Sequence, residues 1–185
     1  MGLGYYRRVY VRMWGDEKFR RLSRQQPNGQ SLWVYLMTGP HTGPIPGLSE
    51  AGEAGLAEAL GWPLKAFREA FAEVSREGLA RADWTARVLW IPRSIMYNPP
   101  ASPNVIRSWS DSYSLIPECR LKAEAFQGLK AFVEGLGEGF RKAFAEAMGE
   151  VARARVQEQE QEQEQDKSIA GDSAPAVGDP SPKLA

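Results

Sequence analysis

The cations of residues 63–98 are Lys65, Arg68, Arg76, Arg81, Arg87 and Arg93, and their spacing is suited to one kind of chemistry, the neutralisation of phosphates. On a helical wheel at about 100° per residue, Leu64, Phe67, Phe71 and Val74 fall within about 80° of one another and form a buried stripe. Lys65, Arg68 and Arg76 lie on one flank of it, with the small residues Ala72 and Ser75 between them. Glu69, Glu73 and Glu77 lie on the other. A helix approaching phosphates needs cations on a side where small residues let the backbone come close; a helix that only needs solvation can scatter its charges. The same charges also serve a wet surface as i,i+4 pairs. Arg81 and Arg87 fall on either side of a turn at Trp84-Thr85-Ala86, with Arg93 just beyond, where each could release counterions from a nucleic acid or simply solvate a hairpin.

A second cluster, Arg7, Arg8 and Arg12 with Tyr5, Tyr6 and Tyr10, interleaves cations with aromatic rings. It suits a sheet edge with a packed aromatic face, and after that stacking on unpaired bases.

Other chemistries lack their residues. There is no G-x-x-x-x-G-K-[ST], and GLGEGF does not match G-x-G-x-x-G. The one histidine, His41, stands in a Pro/Gly loop with no nucleophile beside it, and the one cysteine, Cys119, stands among Leu115, Ile116 and Leu121. Two such residues are too few for the usual zinc site, and one cysteine excludes an internal disulfide framework. The carboxylates fall on helix flanks and in a repeat. The expectation is a protein that is not an enzyme and takes no cofactor and no metal.

The elements that must position the cations follow from periodicity and punctuation. RRVYVRMW alternates Val9, Val11 and Met13 with Arg8, Tyr10 and Arg12, the period of a strand. Asp16 caps a short helix bearing Phe19 and Leu22. A second helix starts at Asn28 and carries Leu32, Tyr35 and Leu36 to Gly39-Pro40. GPHTGPIPG is an irregular loop with a short extended piece at Ile45. The third helix is expected from Ser49, as N-cap, to Leu60, and the fourth from Pro63 to Gly78 after a break at Gly61-Trp62-Pro63. LARAD and RVLWI form a hairpin. YNPPASPN links to a helix opened by Ser102-Pro103, to another from about Pro117 through Phe132, and to a last one from Gly139 through Phe144.

The chain has 185 residues, 43% of them hydrophobic, enough for one ordinary domain with appendages. Residues 1–24 carry a charge of +5, residues 25–62 carry −3 and residues 63–98 carry +2, so the zero net charge divides into a basic front and an acidic rear. No stretch approaches the roughly 20 apolar residues of a membrane span, and the first residues lack the apolar run of a secretion signal, so the expected compartment is the cytoplasm, without membrane partners. Residues 157–185, with QEQEQEQEQ at their start, have too little to bury and read as a disordered tail.

The order of helix pair then hairpin is similar to a winged helix. The fold class expected is mainly α with a small β-hairpin: a winged helix-turn-helix over residues 1–98, a C-terminal helical extension over 99–156, and the tail. The stretches VRMWGDEKFRRLS, SLWVYLMTGPHT, LAEALGW, VLWIPRSIMYNPP and SPNVIRSW, within residues 5–130, resemble the amino-terminal domains of phage replication-initiation and replisome-organiser proteins, including the DnaD-like primosomal proteins. The resemblance implies a DNA-binding domain that marks an origin or fork, with Lys65, Arg68, Ser75 and Arg76 facing the groove, Arg81 and Arg87 as wing contacts, and a C-terminal region that recruits a replicative helicase or its loader. A homo-oligomer is compatible with it. The sequence departs from that pattern in having no Lys or Arg between Arg24 and Lys65, which leaves the third helix, with Glu53 and Glu58, without a phosphate clamp. Two other readings stand beside it: a prophage transcription regulator built on the same winged helix, and a protein-interaction module without nucleic-acid binding in which residues 103–150 do the work and Phe126, Phe132, Phe140 and Phe144 either face a partner or pack back on the domain.

Overall fold

A computed structural model describes residues 8–23 and 26–149. They are mainly helical with a small three-stranded antiparallel sheet. The tail, residues 150–156 of the extension, and Tyr5, Tyr6 and Arg7 of the aromatic cluster lie outside the described residues.

The helices begin where side chains can replace missing backbone partners. Asp16 accepts from the Phe19 N–H at 3.0 Å and starts α1, Glu17–Arg21. Asn28 accepts from the Ser31 N–H at 2.6 Å and starts α2, Gly29–Thr38, which buries Leu32, Trp33 and Leu36. Tyr35, expected on that stripe, is half-buried. The helix pair is α3, Glu53–Ala59, and α4, Leu64–Arg76. Between them Gly61 adopts φ +66°, a left-handed backbone that favours glycine, and Trp62 N–H closes on Ala57 O at 2.9 Å. Pro63 precedes α4, and of the expected stripe Phe67, Phe71 and Val74 are buried, together with Ala70, while Leu64 at the helix start is half-buried.

Two expectations about the strands are corrected. RRVYVRMW is not a strand: residues 8–10 are irregular and Val11–Gly15 form a 3₁₀ turn. Alternation makes a strand only where a sheet edge is offered, and here the Arg8 N–H is taken by Asn98 Oδ1 at 2.9 Å instead of by a ladder. The sheet's extra strand, β1, is Leu48–Glu50, just after the predicted piece at Ile45, and Ser49 stands within it and does not cap α3. Three residues are too few to display a period. Gly47 turns the chain into β1 at φ +79°, where a Cβ would lie 2.5 Å from Ile91 O, and Gly52 is the N-cap of α3.

The hairpin is β2, Arg81–Asp83, and β3, Val88–Trp90, with β3 in the centre and strand order β1-β3-β2. Leu48 and Arg81 both stand opposite Trp90, and Glu50 and Asp83 both stand opposite Val88. Successive β3 side chains point to opposite faces. Leu89 and Ile91 join the core built by α1 to α4, with Phe19, Leu22, Leu36, Phe67 and Val74. Val88 and Trp90 join a second core with Ile106, Trp109, Leu129 and Phe144.

That second core belongs to the helices after the hairpin: α5 (Ser94–Tyr97), α6 (Pro103–Arg107), α7 (Trp109–Ser114), α8 (Arg120–Glu134) and α9 (residues 138–149). They cover the other face of the sheet, so the sheet lies between two helical layers. Phe144 is buried there, and Phe126, Phe132 and Phe140 pack against the same core, so of the two readings of these residues the four pack back on the domain and do not form a partner-facing stripe. α8 also buries Lys122 completely: its Nζ donates to Ile116 O at 2.5 Å and lies 4.3 Å from the Tyr113 ring centroid.

Candidate nucleic-acid interface

The two charged flanks of α4 meet different surroundings. Its acidic flank is a docking surface for the N-terminal elements. Glu73 Oε2 accepts from the Ser23 N–H at 2.9 Å, Glu77 accepts from Arg21 Nη2 at 2.6 Å, and the Glu77 carbonyl accepts from Lys18 Nζ at 2.9 Å. The bond from Arg21 holds the Glu77 carboxyl below the usual carboxylate range. These bonds tie α1 and the segment after it to the end of α4, which leaves the opposite flank to solvent.

On that flank Lys65, Arg68 and Arg76 are exposed, with exposed Ala72 between them and Ser75 half-buried at the edge. Lys65 and Arg76 make no hydrogen bond or ion pair with a described residue. Arg68 does: its Nε donates to Glu53 Oε2 at 2.8 Å, and its Nη2 reaches Oε1 of the same carboxylate. The fork-to-fork bond raises the Arg68 guanidinium pKa and lowers that of Glu53. The carboxylates expected to repel a phosphate backbone from α3 therefore include one that occupies a cation of α4.

The hairpin cations are similarly engaged. Arg81 on β2 pairs with Glu124 of α8, which also accepts from Arg120 Nε at 3.1 Å. Arg87, at φ +56°, pairs with Glu50 of β1 while its carbonyl accepts from the Ala51 N–H at 2.7 Å. The turn between the strands is folded onto α4, for the Trp84 ring lies 4.7 Å from that of Phe71 and 5.9 Å from that of Phe67, edge to face in both cases. All these ion pairs are at the surface, where exchange of a carboxylate for a phosphate costs little.

Arg93 does not join the hairpin. It is exposed at the start of α5 and lies on the rim of a cleft of about 220 Å³, whose rim also holds Arg8, Arg12 and Lys18. Arg12 faces two rings, 5.3 Å from the Tyr10 centroid and 5.2 Å from that of Tyr97. The interleaved arginines and tyrosines are the sequence signal for this place; its other components come from α1, α2, α5 and the segments after α4 and β3, which no local pattern links.

Among the described residues no group of three or more His, Cys, Asp or Glu side chains could hold a metal ion. Cys119 is half-buried and its Sγ accepts from the Lys122 N–H at 3.4 Å, as the N-cap of α8. His41 Nε2 lies 3.1 Å from Leu36 O, with its ring beside that of Tyr35. No helix of the described residues is long and apolar enough to cross a membrane. No family model, curated protein or solved structure matches the chain.

Proposed function

We propose that this chain is a winged-helix DNA-binding protein that uses α4 as its groove-entering helix and acts in replication initiation of a phage or prophage. The observation that carries the DNA-binding part is topological. A helix pair is inserted between β1 and a β2–β3 hairpin, the strand order is β1-β3-β2, and the second helix of the pair turns Lys65, Arg68, Ala72 and Arg76 outward. A small residue amid cations on an exposed helix lets the backbone come close to a phosphate. Lys65 and Arg76 are ready for phosphates, and Arg68, Arg81 and Arg87 become so by exchanging a surface carboxylate for one. The replication role, with helicase or loader recruitment, rests on the resemblance of residues 5–130.

The test is an anisotropy titration against duplex, forked and single-stranded DNA at two salt concentrations. The Lys65→Ala/Arg68→Ala variant is expected to bind duplex more than about tenfold more weakly than the parent, with unchanged folding, since each lost charged contact is worth about that much. Unchanged duplex affinity would remove α4 from the reading role, and absence of salt-sensitive binding to every DNA would overturn the proposal. Preference for forked DNA supports replication, whereas tight binding to one palindromic duplex assigns the fold to a transcription regulator.

A further inference from the structure

The cleft beside α5 has a different character from the α4 surface. Its floor is apolar: Phe19 of α1, Trp33 and Met37 of α2, Leu79 after α4 and Ile91 after β3. Its rim carries four cations, from the N-terminal segment (Arg8, Arg12), α1 (Lys18) and the N-cap of α5 (Arg93), against the single carboxylate of Asp16, which is occupied in capping α1. Val9 and Tyr10 stand at the mouth, 42% and 45% exposed. A flat apolar body with negative charge at its edges fits this arrangement. At about 220 Å³ the space is below the roughly 300–1,000 Å³ of drug-sized sites, so it takes one ring system and leaves charged attachments at the rim.

We infer that the cleft receives one unpaired nucleotide of a single-stranded nucleic acid, the base against the floor beside Tyr97 and the flanking phosphates at Arg12 and Arg93. Cations from three separate elements around one mouth suit the successive charges of a strand passing over it, whereas a lone carboxylate would need one of them. Arg93 is exposed and makes no ion pair with a described residue, and Arg12 is held against two rings, so its guanidinium is oriented before a phosphate arrives. Lys18 spends one donor on the Glu77 carbonyl and keeps two. Tyr10 at the mouth offers a face to the neighbouring base. The inference shares with the groove reading only the premise that the chain meets nucleic acid; its site and its preferred strandedness are separate.

The experiment measures binding of the full chain to a labelled oligothymidylate and to a blunt duplex of equal length. Arg93→Glu is expected to weaken oligothymidylate binding about tenfold, as loss of a charged contact does, and to lower its salt slope by about 0.7, while duplex affinity stays the same. Arg12→Ala should act in the same direction; if it fails to fold, Arg93→Glu, at an exposed position, decides alone. Unchanged oligothymidylate binding in Arg93→Glu overturns the inference, and so does equal weakening of both DNAs, which would reduce the cleft to general surface charge. Binding of a free aromatic sulfonate in the cleft with no binding of oligothymidylate also overturns it, in favour of a small organic anion. Should Lys65→Ala/Arg68→Ala leave duplex binding intact while Arg93→Glu selectively lowers oligothymidylate binding, the groove reading falls and the cleft assignment stands.

Discussion

Arg68 of α4 reaches back across the helix pair to Glu53 at the start of α3, its Nε 2.8 Å from Glu53 Oε2. A cation on the exposed flank of the proposed reading helix is thus held by a carboxylate of the preceding helix. Any phosphate that approaches Arg68 must displace Glu53 or share the guanidinium with it.

Glu53→Gln should therefore tighten duplex binding. The substitution keeps the shape of the side chain and removes one negative charge beside the phosphate position, an effect of about fivefold in a solvated setting. The salt dependence should become steeper, because Arg68 then contributes fully to counterion release. Tm should hardly move, since the pair is exposed. A titration of wild type and Glu53→Gln against the same duplex at two salt concentrations checks this, and equal affinities would show that Arg68 does not meet the DNA.

Lys122 should be among the costliest surface-type residues to truncate. It is fully buried in α8, with its ammonium on Ile116 O and paired with Glu118, and the Tyr113 ring beneath it. Lys122→Ala leaves a cavity and an orphaned carbonyl and should lower stability by about 2–4 kcal/mol. Lys122→Met, which keeps most of the volume, should cost about 1–2 kcal/mol. Urea unfolding of the two variants measures the difference; equal costs would mean that the ammonium, and not the stem, carries the contribution.

Stability should fall with acid in two stages. His41 is half-buried, and that burial lowers its pKa from 6.5. Its Nε2–H points to Leu36 O, and Nδ1 is buried with no partner among the described residues, so a second proton has no acceptor there. The unfolded chain binds that proton more readily, so stability is complete above pH 6.5 and declines as the pH falls below it. The second stage comes from Glu53, Glu77 and Glu124, whose pKa values are lowered from 4.5, first of all by bonds to Arg68, Arg21 and Arg81. Their contribution is present above 4.5 and is lost as the pH drops through their lower folded values. A Tm profile against pH should show both stages, with His41→Gln removing the upper one and added salt flattening the lower one. An upper stage that survives in His41→Gln would assign it elsewhere.

Local periodicity was enough for the long elements. The apolar stripe of α4 and the caps at Asp16 and Asn28 are stated by neighbouring residues, because a helix side chain meets partners three and four positions away. The hairpin is legible for the same reason, with its turn closing within the segment, and so is the sorting of α4 charges into two flanks. What those flanks touch is not local. The acidic one docks α1, and Arg68, Arg81 and Arg87 find Glu53, Glu124 and Glu50, of which only the first lies on the neighbouring helix. A pairing between residues 43 or 37 positions apart leaves no periodic trace.

The sequence by itself determined a mainly helical chain with a helix pair, a hairpin and cations on one flank of the second helix, since each of these is a property of a short stretch. Only the tertiary structure decided that Leu48–Glu50 is a third strand, that RRVYVRMW is not one, that the C-terminal helices cover the sheet, and that Arg93 belongs to a cleft with Arg12. The reason is common to all four: a strand edge, a sheet face and a cleft exist only once distant segments have been brought together, and their energetics depend on the partner supplied by the fold.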